Sequence, residues 1–184
     1  MKIKITITGC AALLLFATSV QAFEGSVNAG RKYTDLTVGF GTLSPGVFLA
    51  GDYLQSRNDQ WLVGLTLGYR FEVDGLTIGP AVRGVIVEPR NGKSGSAKLL
   101  GVDASYAFND MFGVYGSYYR SPSLPEKIKS YNAVRHEIEG GFSFSPMPLF
   151  NVRIGYQYLE IKGKNSGKNS IMADGPYIGA SLLL

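Results

Sequence analysis

From residue 23 onward, apolar and polar residues alternate with a period of two, and helical periodicity is nearly absent. In residues 61–71 (WLVGLTLGYRF), Trp61, Val63, Leu65, Leu67, Tyr69 and Phe71 share one face, opposite Leu62, Gly64, Thr66, Gly68 and Arg70. Residues 151–158 set Val152, Ile154, Tyr156 and Tyr158 against Arg153, Gly155 and Gln157. Residues 76–86 set Leu76, Ile78, Val82 and Ile86 against Thr77, Gly79, Ala81 and Arg83. Residues 134–144 set Val134, Ile138, Phe142 and Phe144 against Arg135, Glu137, Glu139, Gly141 and Ser143. Alternation sustained over ~10 residues has the length and pattern of a tilted membrane strand.

The links between these segments alternate in length. Short links fall at residues 43–45, 73–75, 109–110 and 145–148. Those at 56–59, 90–97, 121–130 and 163–174 are mostly longer and richer in Lys, Ser, Asn and Gly. Outer-membrane barrels pair short periplasmic turns with longer outer loops in this way. Nine strand candidates run from Tyr33 to Leu184, starting on the long-loop side and ending on the short-turn side. Both termini become periplasmic if residues 23–30 cross once more, which gives ten strands, with eight as the alternative. The phase supports a break there, because Val27 and Ala29 are odd whereas Leu36, Val38 and Phe40 are even. The expected fold is all-β: a small antiparallel transmembrane β-barrel over residues 23–184.

A soluble barrel would turn the apolar faces inward, so the orientation needs its own argument. Phe40, Tyr69, Phe71, Tyr106, Phe108, Phe112, Phe142, Phe144 and Phe150 sit on the apolar parity beside the short turns. That placement matches an interfacial aromatic girdle. Tyr53, Trp61, Tyr118, Tyr156 and Tyr158 supply an opposite belt. Many of the 24 glycines fall on the polar face, among them Gly64, Gly68, Gly79, Gly101 and Gly155. A narrow, side-chain-filled lumen requires such small residues. At the C-terminus, Gly179, Leu182 and Leu184 match the spacing of a terminal barrel-assembly signal, although its usual last residue is aromatic.

Composition changes this picture little. Lys2 and Lys4, the apolar run 9–20 and Val20-Gln21-Ala22 form a signal peptide over residues 1–22. Cys10 opens the apolar run, which speaks against a lipoprotein, and its removal leaves a mature chain without cysteine. The formal charge of +4 (18 Lys and Arg against 14 Asp and Glu) falls to +2 without Lys2 and Lys4, so the basic pI is no argument for nucleic acid. No later stretch of 18 apolar residues occurs. A spanning helix is therefore excluded, and only a closed barrel satisfies its backbone inside lipid.

Four segments carry a family resemblance: GRKYTDLTVGFGT (30–42), YYRSP (118–122), GYQYLEIKGK (155–164) and ADGPYIG (173–179). In order and spacing they resemble the YfaZ family of Gram-negative outer-membrane proteins, across nearly the whole mature chain. The resemblance implies an outer-membrane location and a β-barrel. It brings no settled activity and no functional residues.

Candidate chemistry lies on the lumen face and in the outer loops. Arg70, Arg83 and Arg153 stand against Asp103, Glu137 and Glu139, a three-to-three balance that suits a salt-bridged plug better than a conduit. His136, the single histidine, lies on the apolar parity with no serine one step along, so it reads as interfacial and the chain as no enzyme. Without cysteine or a second histidine, neither a zinc site nor any cofactor is expected. Arg31, Lys32, Arg90, Lys93, Lys98, Lys127, Lys129, Lys162, Lys164 and Lys168 make the outer loops basic. Among them Arg90, Lys93, Lys98, Lys164 and Lys168 are candidate contacts for lipopolysaccharide phosphates. The expected partners are outer-membrane lipid, lipopolysaccharide and the barrel-assembly machinery, with the protein a monomer. A structural or surface-interaction role ranks first, a narrow porin-like channel for small solutes or ions second, and a lipid-modifying enzyme third.

Overall fold

The computed structural model describes residues 23–42, 44–88, 94–122, 133–162 and 170–184. The signal-peptide segment, Arg90, Lys93, Lys127, Lys129, Lys164 and Lys168 lie outside the described residues. Ten strands follow one another along the chain: β1 (Phe23–Gly30), β2 (Tyr33–Phe40), β3 (Gly46–Ser56), β4 (Gln60–Val73), β5 (Leu76–Glu88), β6 (Gly95–Ala107), β7 (Phe112–Arg120), β8 (Ala133–Met147), β9 (Phe150–Lys162) and β10 (Ser170–Leu183). Each pairs antiparallel with its sequence neighbours, and β1 pairs with β10 to close the barrel. The termini clasp at the seam, where Phe23 N donates to Leu184 O at 2.9 Å and Leu184 N to Phe23 O at 2.8 Å. Closure leaves no unpaired strand edge, the condition for a sheet inside lipid. The short segment 23–30 is thus the tenth crossing.

Turn chemistry explains the tight connections. Asp74 and Gly75 join β4 to β5 with φ of 50° and 78°, a two-residue hairpin that needs both residues left-handed. Between β3 and β4, Asp59 closes a three-residue loop at φ 56°. At two places strand structure replaces an expected link. Strand β8 continues to Met147 through a register shift between Phe144 and Met147, so the expected turn at 145–148 narrows. Strand β10 begins at Ser170, inside the expected loop 163–174, and a shift between Ile171 and Ala173 hides its alternation.

The apolar parity faces outward. Leu36, Leu65, Leu67, Phe71, Ile78, Val82, Ile138, Phe142, Ile154 and Ile178 are all exposed, forming the continuous apolar surface that lipid requires. At the short-turn end the rings meet in cross-strand or same-strand pairs, with centroids 5.1 Å apart for Phe23–Phe40, 4.8 Å for Tyr69–Phe71, 5.5 Å for Tyr106–Phe108 and 5.0 Å for Phe112–Phe144. Val134 departs from its expected outward face. A shift between Val134 and His136 puts one extra residue into β8, turning Val134 into the interior and leaving Arg135 exposed instead of lumen-facing.

Candidate functional site

The inward faces divide the barrel interior into layers. Toward the long-loop end, Leu54, Leu62, Val87, Leu99, Val134, Leu159, Ile161 and Met172 are at most 2% exposed and form one apolar cluster. Cross-strand register places Leu54 beside Leu62, Leu62 beside Val87, and Val134 beside Ile161, so the layer runs around much of the wall. Below it lies a charged layer. A cavity of about 380 Å³ takes in this layer and extends to Thr42, Ser145, Pro148 and Leu149 at the short-turn rim.

Arg83 is the hub of the charged layer. It is 8% exposed, and its Nη1 and Nη2 donate to Asp52 Oδ1 and Oδ2 at 2.5 and 2.8 Å. Nη1 also reaches Thr66 Oγ1 at 3.1 Å, and Nε lies 3.0 Å from Glu137 Oε2 in an ion pair. A bidentate grip with a second carboxylate behind it is the arrangement a buried guanidinium needs. Further down, the Tyr119 hydroxyl lies 2.9 Å from both Asp103 oxygens. Tyr177 donates to Glu139, and its oxygen lies 2.5 Å from the Tyr115 hydroxyl. Thr42 donates to Glu24 at 2.8 Å, and Arg153 Nη2 to Asn28 Oδ1 at 3.3 Å.

The arginines also lie over aromatic rings: Arg70 over Phe48 at 4.6 Å, Arg83 over Tyr119 at 5.9 Å and Arg153 over Tyr115 at 5.8 Å. Glycine makes room for these groups. A Cβ on Gly68 would stand 2.5 Å from Phe48 Cε1, and one on Gly155 would stand 2.7 Å from the Tyr115 hydroxyl.

All six expected lumen charges, Arg70, Arg83, Asp103, Glu137, Glu139 and Arg153, line this interior. Their expected three-to-three balance does not hold. Glu24, Asp35 and Asp52 line it too, making six carboxylates against three guanidinium groups. The signal for them was parity: Asp35 alternates with Leu36, and Asp52 with Tyr53. The apolar layer shares that parity, Leu62 with Arg70, Leu99 with Asp103 and Leu159 with Arg153, but no local pattern marks that these residues meet in one layer.

A protein-family profile described as "YfaZ precursor" matches residues 1–184. The chain is 34% identical over 179 residues to "Outer membrane protein YfaZ" of Escherichia coli (strain K12), covering 97% of each. The chain belongs to the YfaZ family. Among solved structures it is similar to one described as KdgM porin, at 8% identity and a TM-score of 0.48, covering 88% of this chain and 98% of that one. This YfaZ-family protein is a ten-stranded β-barrel of the outer membrane.

On the outer wall of the YfaZ-family barrel, the two remaining candidates among the described residues, His136 and Lys98, lie near the long-loop end. His136 lies on the outward parity, as expected, but it has a carboxylate partner across the strand that parity along β8 does not reveal. Its Nε2 is 2.6 Å from Glu160 Oε2, and Arg135 Nη1 lies 4.0 Å from Glu160 Oε1. Lys98 is exposed on β6, one outward step from Leu100, which pairs with Arg120 of β7. Arg120 in turn pairs with His136. Of these three cations the sequence pointed only to Lys98; Arg120 and Arg135 join it through strand register.

Proposed function

We propose that this protein is a non-enzymatic, non-conducting component of the outer membrane with a structural or surface-contact role. The observation that carries this reading is the apolar layer of Leu54, Leu62, Val87, Leu99, Val134, Leu159, Ile161 and Met172. Ions cross a constriction poorly when its walls offer no polar group to replace their hydration. The Arg83 network beneath it supports the same reading, since a conducting path would have to displace paired, buried charges. Planar-bilayer recording on the purified protein tests it. Current close to the bare-membrane baseline is expected, whereas steady, ion-selective channels would overturn closure in favour of a narrow pore.

The surface contact we infer is lipopolysaccharide. Lys98, Arg120 and Arg135 are exposed on adjacent strands near the long-loop end, which the barrel layout places at the outer leaflet. Clustered cations attract the phosphates of that leaflet.

A further inference from the structure

We propose that the lumen cavity, which runs from Leu54 of the apolar layer down to the short-turn rim, binds a primary alkylammonium compound, with the Asp35 carboxylate near its inner end as the anchor. The cavity measures about 380 Å³, within the range of small-molecule sites. Its lining holds six carboxylates against three guanidinium groups, so its field favours a cation.

Pairing within the cavity singles out one group. Asp52 and Glu137 hold Arg83; Asp103 accepts from Tyr119, Glu139 from Tyr177 and Glu24 from Thr42. Asp35 is 6% exposed, faces the cavity, and its Oδ1 has no hydrogen-bond partner. Its charged surroundings are mainly Asp52, Glu139 and Glu137, with Arg83 opposing them. Arg83 is already committed to Asp52 and Glu137. A buried carboxylate oxygen among like charges calls for a donor brought from outside.

The chemistry of the lining selects the kind of cation. Among the described residues, no three acidic or histidine side chains converge closely enough to hold a metal ion. An ammonium group needs no such convergence, because it is a compact charge with three donors that can be shared among separated acceptors. Around Asp35 those acceptors include Asn28, paired with it on β1, and Thr37, two residues along the same face. Phe48 and Leu54 in the lining suit an alkyl chain. Entry is from the short-turn rim, which Ser145, Pro148 and Leu149 border. The site does not depend on closure of the outer half: a conducting lumen would contain it equally.

Calorimetric titration of the detergent-purified barrel at low salt tests the proposal. The probe is 1,4-diaminobutane, compared with uncharged 1,4-butanediol and with magnesium chloride. Saturable binding of the diamine alone is expected, weakened at least tenfold by Asp35→Asn and unchanged by Glu88→Gln, which removes an exposed carboxylate outside the cavity. Heat-modifiable gel migration checks that each variant is folded. Should Asp35→Asn fail to fold, Thr37→Lys supplies a tethered ammonium beside Asp35 and is expected to abolish diamine binding. No saturable diamine binding, equal binding of magnesium, or binding indifferent to the folded variant would each overturn the proposal. The bilayer recordings stand or fall separately.

Discussion

Arg83 on β5 holds Asp52 on β3 by reaching over β4, through the space that the missing side chain of Gly64 leaves. A Cβ at Gly64 would lie 2.5 Å from Asp52 Oδ1 and 2.8 Å from Arg83 Nη1. Register sets the meeting point, since Gly64 pairs with Asp52 on one side and with Val85 on the other. Removing the cation strands two buried carboxylates. Arg83→Met is therefore expected to cost about 3–5 kcal/mol, the usual consequence of breaking a buried pair from one side. Gly64→Val should be destabilising as well, by driving the pair apart. Urea unfolding in lipid vesicles, followed by fluorescence of the single Trp61, measures both; a loss under about 1 kcal/mol for Arg83→Met would mean the pair behaves as a solvated one.

That pair also marks the boundary of what the sequence discloses. Strand number, turn chemistry and wall orientation follow from local patterns: period two, an Asp-Gly hairpin at 74–75, and aromatic rings beside the short turns. Arg83 and Glu137 were assignable to the lumen by parity alone. Their meeting was not, because β5 and β8 become neighbours across the interior only through barrel closure and stagger. The register shift at Val134 and His136 carried no sequence mark, and one extra residue reversed the face of everything on its far side. Val134 was misplaced for that reason. Asp35 and Asp52 show a different gap: both lay on the lumen parity, but their weight depends on the three-dimensional count of charges around one cavity.

Thinning the apolar layer should open the barrel. Leu62 on β4 and Leu159 on β9 are both fully buried, and these strands lie on opposite arcs of the ten-strand ring. Replacing both with alanine removes wall volume from two sides of the same layer. The double variant is expected to give measurable single-channel current where the parent gives none, with cations favoured because six carboxylates face three guanidinium groups in the lumen. Equal silence in parent and variant would move the barrier elsewhere in the lumen.

Contact with lipopolysaccharide should depend on the outward basic cluster. Lys98→Glu, Arg120→Glu and Arg135→Glu together reverse the exposed charge on β6, β7 and β8. The amount of lipopolysaccharide co-purifying with the barrel is expected to fall several-fold. Raising salt should lower the parent toward the variant, since exposed charges are screened over about 10 Å at 0.1 M ionic strength. A salt-independent association, unchanged in the triple variant, would assign the contact to the apolar wall.

The lipid-facing assignment of the wall makes a depth-dependent prediction. Leu65, 58% exposed, lies near the middle of β4, whereas Val73, 68% exposed, ends that strand beside the Asp74-Gly75 turn. Both occupy the outward parity, so exposure alone would make an arginine at either harmless in a soluble barrel. In a bilayer the cost of a charge follows its depth: about 2–4 kcal/mol at the midplane and about 0–1 kcal/mol near the interface. Leu65→Arg is therefore expected to lower stability in lipid vesicles by roughly that larger amount and Val73→Arg by the smaller. Equal, small effects at both positions would mean that water, not hydrocarbon, bathes the middle of β4.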